Sequence, residues 1–182
     1  DGFIAQAIAE VKETHDVLYF AAIMNKGNLT SGTASVWEGT FADSGTTFSL
    51  PGGKQGVLHD FGGGDTDNEI TFASPFPVML QWADPFGSST NDYDLCIIDP
   101  NGKVECSANV QDGDDDPVER IRRPRPGDRL VIVKAQDADA RFLHLDTFGS
   151  GTFRDGQAFG VLEHATDGAI AGHAGSENVI GV

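Results

Sequence analysis

No run of apolar residues in this 182-residue chain approaches the roughly 20 needed to cross a bilayer as a helix. Bases are scarce, 12 lysines and arginines against 28 aspartates and glutamates, and the formal net charge of −16 repels phosphate backbones and anionic lipid surfaces at long range. Nucleic acid and membrane are therefore not expected as partners. Helix-length periodic segments are few while glycines number 23, which favours short strands and turns over a helical bundle. The opening "DGFIAQ" carries no initiator Met, no signal peptide and no helix cap, and the closing "SENVIGV" stops within an apolar run. Both ends read as cuts through a larger protein.

At the start, Phe3, Ile4, Ala7, Ile8 and Val11 recur at helical spacing until Thr14, His15 and Asp16 break the pattern. The stretch "VLYFAAIMNKGN", Val17 to Asn28, then runs almost wholly apolar into Asn25 and a glycine turn. A continuous apolar run predicts a strand buried on both faces, as in a parallel sheet covered by helices. In open α/β sheets functional groups lie just beyond the carboxyl ends of strands, which is where Asn25 falls. "KGNLTSGTASVWEG", Lys26 to Gly39, is small, polar and irregular, and predicts a loop.

From about Thr40 to Phe153 short β-rich runs alternate with Gly, Pro, Asn and Asp. Strands are predicted at "TTFSL", "GVLHDF", "EITFA", "PVMLQWA", "YDLCIID", "KVECSA", "PVERIRR", "RLVIVKA" and "FLHLDTF". Strands at that spacing, with turns between them, point to an antiparallel sandwich of jelly-roll type. "DPNG", Asp99 to Gly102, joins two of them as a hairpin. If Pro100-Asn101-Gly102 is a three-residue loop, Cys96 faces Cys106 and a disulfide can form; a register one residue away would prevent it. Three segments result: 1–38 and 156–182 as pieces of an α/β parallel-sheet domain, and 39–155 as a mainly β insert, placed where an exposed host loop tolerates it.

These residues carry a resemblance. "VLYFAAIMNKGN" resembles the strand of subtilisin-like serine proteases (peptidase family S8) that ends in Ala-Ala-Gly-Asn before a Gly turn. "GHAGSENVIGV" is similar to a later segment of that fold, where Gly-His or Gly-Tyr and small residues lead into an Ile-x-Val strand. A bacterial subfamily carries a β-sandwich between the two, and "NDYDLCIIDPNGKVECS" and "FGSGTF" resemble that sandwich's hairpin and closing strand. The resemblance implies a secreted or cell-envelope endopeptidase acting on peptide or protein substrates, with no required cofactor. It makes Asn25 the oxyanion-hole donor, its amide N–H stabilising charge on the substrate carbonyl oxygen. The competing reading of Asn25 is a turn former at a strand end. Ala22, Ile23 and Met24 would wall the pocket for the residue before the scissile bond. Ile23 and Met24 stand where the family has small residues ending in Gly, so Met24 fills or narrows that pocket. No His lies in a His-Gly-Thr context and no Gly-Thr-Ser occurs, so the Asp/His/Ser triad is expected outside this chain, which is inactive alone. His173 occupies the family's Gly-His position outside the triad, as a structural loop residue.

Acidic clusters at Asp65 to Glu69, at Asp92 and Asp94, and at Asp112 to Glu119 are candidates for calcium, against a plain reading as solvated loops. "ERIRRPRPGDR", Glu119 to Arg129, offers a basic patch or, as the favoured expectation, ion pairs with the "DGDDD" just upstream. Trp82 and Phe86 would stack on a sugar if the sandwich were a carbohydrate-binding module, or pack in its core. A non-catalytic binding or structural module is thus the second functional reading.

Overall fold

The computed structural model describes residues 3–23, 25–149, 158–168, 174 and 176–182, with Phe3 described by its backbone alone. Met24, His173 and the part of "FGSGTF" after Gly149 lie outside the described residues.

Helix α1 spans Phe3–His15, and Asp16 ends it in the left-handed conformation at φ 50°. The apolar run after it forms only a short strand, β1 (Phe20–Ala21), paired in parallel with β12 (Ile180–Gly181). The pairing is parallel but spans two residues only, and the expected burial on both faces is not found. Val17, Leu18, Tyr19, Phe20 and Ile23 are all exposed, with Leu18 at 66 %. A continuous apolar run reports how hydrophobic a strand is, and among the described residues these side chains remain exposed beside α1 and β12.

The rest is mainly β. Strands β2 (Val36–Thr40), β3 (Asp43–Ser49), β4 (Gln55–His59), β5 (Asn68–Glu69), β6 (Val78–Trp82), β7 (Tyr93–Ile98), β8 (Val104–Ser107), β9 (Val118–Ile121), β10 (Arg129–Ala135) and β11 (Phe142–Asp146) form two antiparallel sheets. One runs β3-β4-β10-β7-β8 with β5 also on β10; the other runs β2-β11-β6-β9. The chain crosses between the sheets after β2, β5, β6, β8, β9 and β10, while β3 to β5 and β7 to β8 stay within one sheet. Strand β2 corrects the sequence expectation, because "VWEG" is not loop: Val36 and Trp37 are buried, and Glu38 lies opposite His144 of β11. It crosses the expected boundary at residues 38 and 39. "EITFA" is also corrected, since β5 ends at Glu69, Ile70 forms an isolated bridge with Leu162, and Thr71 and Phe72 are exposed.

Alternation builds the core. Leu80 and Trp82 of β6, Tyr93, Leu95 and Ile97 of β7, Leu130 and Ile132 of β10, and Leu143 and Leu145 of β11 meet between the sheets. β10 is apolar on both faces because Val131 and Val133 join Leu50, Leu58 and Cys96 in a second cluster on the outer side. The hairpin at Asp99 to Lys103 has the three-residue loop expected, Cys96 lies directly opposite Cys106, and the two are disulfide-bonded.

Candidate functional site

Asn25 lies four residues past β1, on the path from the parallel pair into the sandwich. The turn that follows takes its left-handed conformation at Gly27 (φ 77°), where a Cβ would collide with the Thr33 carbonyl. The next residue anchors the segment. Lys26 is only 3 % exposed, and its ammonium forms an ion pair with Asp146 of β11, itself 1 % exposed. The Lys26 carbonyl accepts a hydrogen bond from Ser35 Oγ at 2.9 Å, and its Nζ lies 5.3 Å from the centre of the Phe148 ring.

Asp146 is the centre of a charged line reaching outward. His144, two residues earlier on the same strand face, places Nε2 3.8 Å from Asp146 Oδ2 and Nδ1 2.6 Å from Glu38 Oε1. Burial disfavours the Asp146 carboxylate, but hydrogen bonding to His144 and Lys26 outweighs it and holds the pKa below the usual carboxylate value. Burial likewise opposes charge on His144, yet Asp146 and Glu38 on either side raise its pKa above the ordinary histidine value.

Around Asn25 the sandwich supplies walls. A cavity of about 190 Å³ is lined by Asn25, Lys26, Phe76, Phe148 and Gly149. Phe148 adopts φ 50°, uncommon for a bulky residue, and its N–H donates to Asp146 Oδ1 at 2.7 Å. Gly149 is needed where it stands, since a Cβ there would lie 2.5 Å from that of Ser35. A second cavity of about 270 Å³ shares Phe76 and Phe148 and continues along Pro77, Met79 and Arg120. Asn25 is exposed to the first cavity, and among the described residues its side-chain amide makes no hydrogen bond. The amide is thus available to a ligand.

The remaining predicted site residues do not gather with it. Ala22 and Ile23 are exposed and do not line the Asn25 cavity; the Ile23 N–H instead donates to the Val182 carbonyl at 2.9 Å, extending the parallel ladder. Lys26, Phe76, Asp146 and Phe148 were not expected. The only hint of them was a lysine beside Asn25 in an acidic chain, and its partner lies 120 residues away.

The acidic clusters resolve differently. Lys54 bridges Asp92 and Asp94 at 2.8 Å each, and burial raises Asp94 to a pKa of about 6 despite Lys54. Asp112, Asp114 and Asp115 are exposed and close together, with Asp112 raised by its hydrogen bond to Asp114. Asp65 meets Glu163 and His164. Two of the arginines pair internally, though not with "DGDDD": Arg122 meets Asp128 and Glu105, and Arg129 meets Asp67. Trp82 is a core residue, 2 % exposed, with its indole N–H donating to Ser89, while Phe86 is 63 % exposed, so the two do not form a sugar platform. No helix is long and apolar enough to cross a membrane among the described residues, and a disulfide suits an oxidising compartment. Compared with known proteins, the chain matches no family model, and no curated protein matches it.

Proposed function

We propose that this chain is a segment of a secreted or cell-envelope subtilisin-like serine endopeptidase, contributing the oxyanion-hole amide of Asn25 and an inserted sandwich. The carrying observation is the uncommitted Asn25 amide: it follows the carboxyl end of a strand in a parallel pair, and it lines a cavity. In acyl transfer such a donor contributes only when the carbonyl oxygen becomes an oxyanion. The buried Lys26–Asp146 pair next to it ties the donor's backbone to β11, which limits the reorganisation needed at the moment of reaction. The exposed apolar residues of α1 and β1 suit packing against further layers of an α/β body.

Substrate in this reading is a peptide or protein; its carbonyl oxygen is bound by Asn25, and Phe76 and Phe148 offer apolar surface beside it. The nucleophile and base are supplied from outside residues 1–182. The test is to express the complete natural polypeptide and treat it with a serine-directed fluorophosphonate. Labelling of a single serine outside this chain, with hydrolysis of a denatured protein substrate, supports the proposal. A complete polypeptide that neither labels nor cleaves overturns it and favours the binding-module reading.

A further inference from the structure

We propose a binding site for a divalent transition-metal ion of the zinc class, formed by Asp65, Glu163 and His164. These residues come from two distant parts of the chain: the loop after β4, and the strip that returns past the sandwich after β11. One ligand atom from each lies within 4.8 Å of the others, so a single point sits within about 2.8 Å of all three. Small side-chain rotations bring that to the roughly 2.0–2.2 Å of Zn–N and Zn–O bonds.

The backbones carrying the ligands are fixed by groups that are not ligands. Asn68, fully buried, clamps the His164 peptide from both sides: its amide donates to the His164 carbonyl at 2.7 Å and accepts from the His164 N–H at 2.9 Å. The imidazole stacks on Phe61, with ring centres 5.8 Å apart and planes 10° apart, and presents Nε2 to Asp65 Oδ2 at 2.9 Å. The Glu163 N–H is held by the Glu69 carbonyl at 2.9 Å, and the Asp65 carbonyl accepts from the Phe61 N–H at 2.7 Å. This is the orientation of first ligands by surrounding contacts that a metal site needs.

Charge argues in the same direction. The site brings two carboxylates together, and Glu163 has no ion-pair partner among the described residues. Arg129, at the start of β10, pairs with Asp67 and acts on Asp65 only at longer range. A dication held between the two carboxylates would pair Glu163 as well as Asp65. The imidazole also sets the preference: calcium takes six to eight oxygens, whereas one nitrogen and two carboxylates suit zinc or manganese with water completing the shell. Bound metal would staple the loop to the returning strip across a separation of 99 residues.

This inference is independent of the protease reading. The test uses the tag-free 182-residue chain and zinc chloride, followed by calorimetry, thermal unfolding and the imidazole nitrogen resonances of His164. The expected result is one equivalent bound, a raised unfolding temperature and a shifted Nε2 resonance. Asp65→Asn and His164→Ala should each weaken binding at least tenfold. Asp112→Asn/Asp114→Asn/Asp115→Asn should leave it unchanged. Absence of saturable binding below millimolar zinc overturns the proposal. So does binding that survives His164→Ala, or an unshifted His164 resonance under saturation.

Discussion

Replacing Lys26 by methionine keeps most of the side-chain volume and removes only the ammonium. It leaves the Asp146 carboxylate, 1 % exposed, without its nearest cation. Stranding one member of a buried pair costs about 3–5 kcal/mol. Asp146 retains the Phe148 N–H at 2.7 Å and His144 Nε2 at 3.8 Å, which places the loss at the lower end, about 3 kcal/mol near neutral pH. With a urea slope of roughly 2 kcal/mol per molar, the midpoint should fall by about 1.5 M at unchanged slope. The deficit should also grow with pH. His144 has a raised folded pKa, so its stabilising charge is fully present below the ordinary value of 6.5 and is lost as pH rises through the folded value. Once it is neutral, nothing replaces Lys26. Lys26→Met/Asp146→Leu should recover to within about 1 kcal/mol of the parent, because it removes both buried charges, while the Phe148 N–H loses its acceptor and His144 keeps Glu38. A single variant within about 1 kcal/mol of the parent, or a double variant as unstable as the single, refutes the reasoning.

Burial lowers the His59 pKa to about 4: its ring sits among Trp37, Phe41 and Phe61 and accepts only the Ala42 N–H. Its contribution is present above pH 6.5 and lost as pH falls toward 4, by about 3 kcal/mol, so His59→Phe should flatten that part of the stability profile in equilibrium unfolding. Asp94 carries the opposite sign. With a folded pKa of about 6, the cost of its buried charge appears as pH rises from 4 to 6, so the stability of Asp94→Asn relative to the parent should improve by about 2–3 kcal/mol over that range. Reducing the Cys96–Cys106 bond, which closes a short loop with a separation of 10, should cost about 2–3 kcal/mol in the same assay and leave the far-ultraviolet circular dichroism unchanged.

Local chemistry made the hairpin legible. Asp99-Pro100-Asn101-Gly102 dictates a tight loop, the loop sets the register, and the register puts Cys96 opposite Cys106. β6, β7, β10 and β11 were equally readable from apolar residues bounded by turn residues. Strand β2 was hidden because its identity comes from pairing with β11, more than a hundred residues later, and because small polar residues precede it. The exposure of Leu18 and Phe20 could not be read either, since hydrophobicity says what a residue prefers and not what covers it. At the candidate site the sequence marks Asn25 by its place at the end of an apolar strand. The Lys26–Asp146 pair and the walls of Phe76 and Phe148 arise from tertiary contact and leave no local trace.

Turnover of the complete polypeptide carrying Asn25→Ala is the most direct test of the oxyanion assignment. A donor that acts only in the transition state should lower kcat by about a hundredfold, with KM little changed and the unfolding midpoint intact. A kcat within about threefold of the parent, or a variant that no longer folds, would mean that Asn25 shapes the turn and does not stabilise the oxyanion.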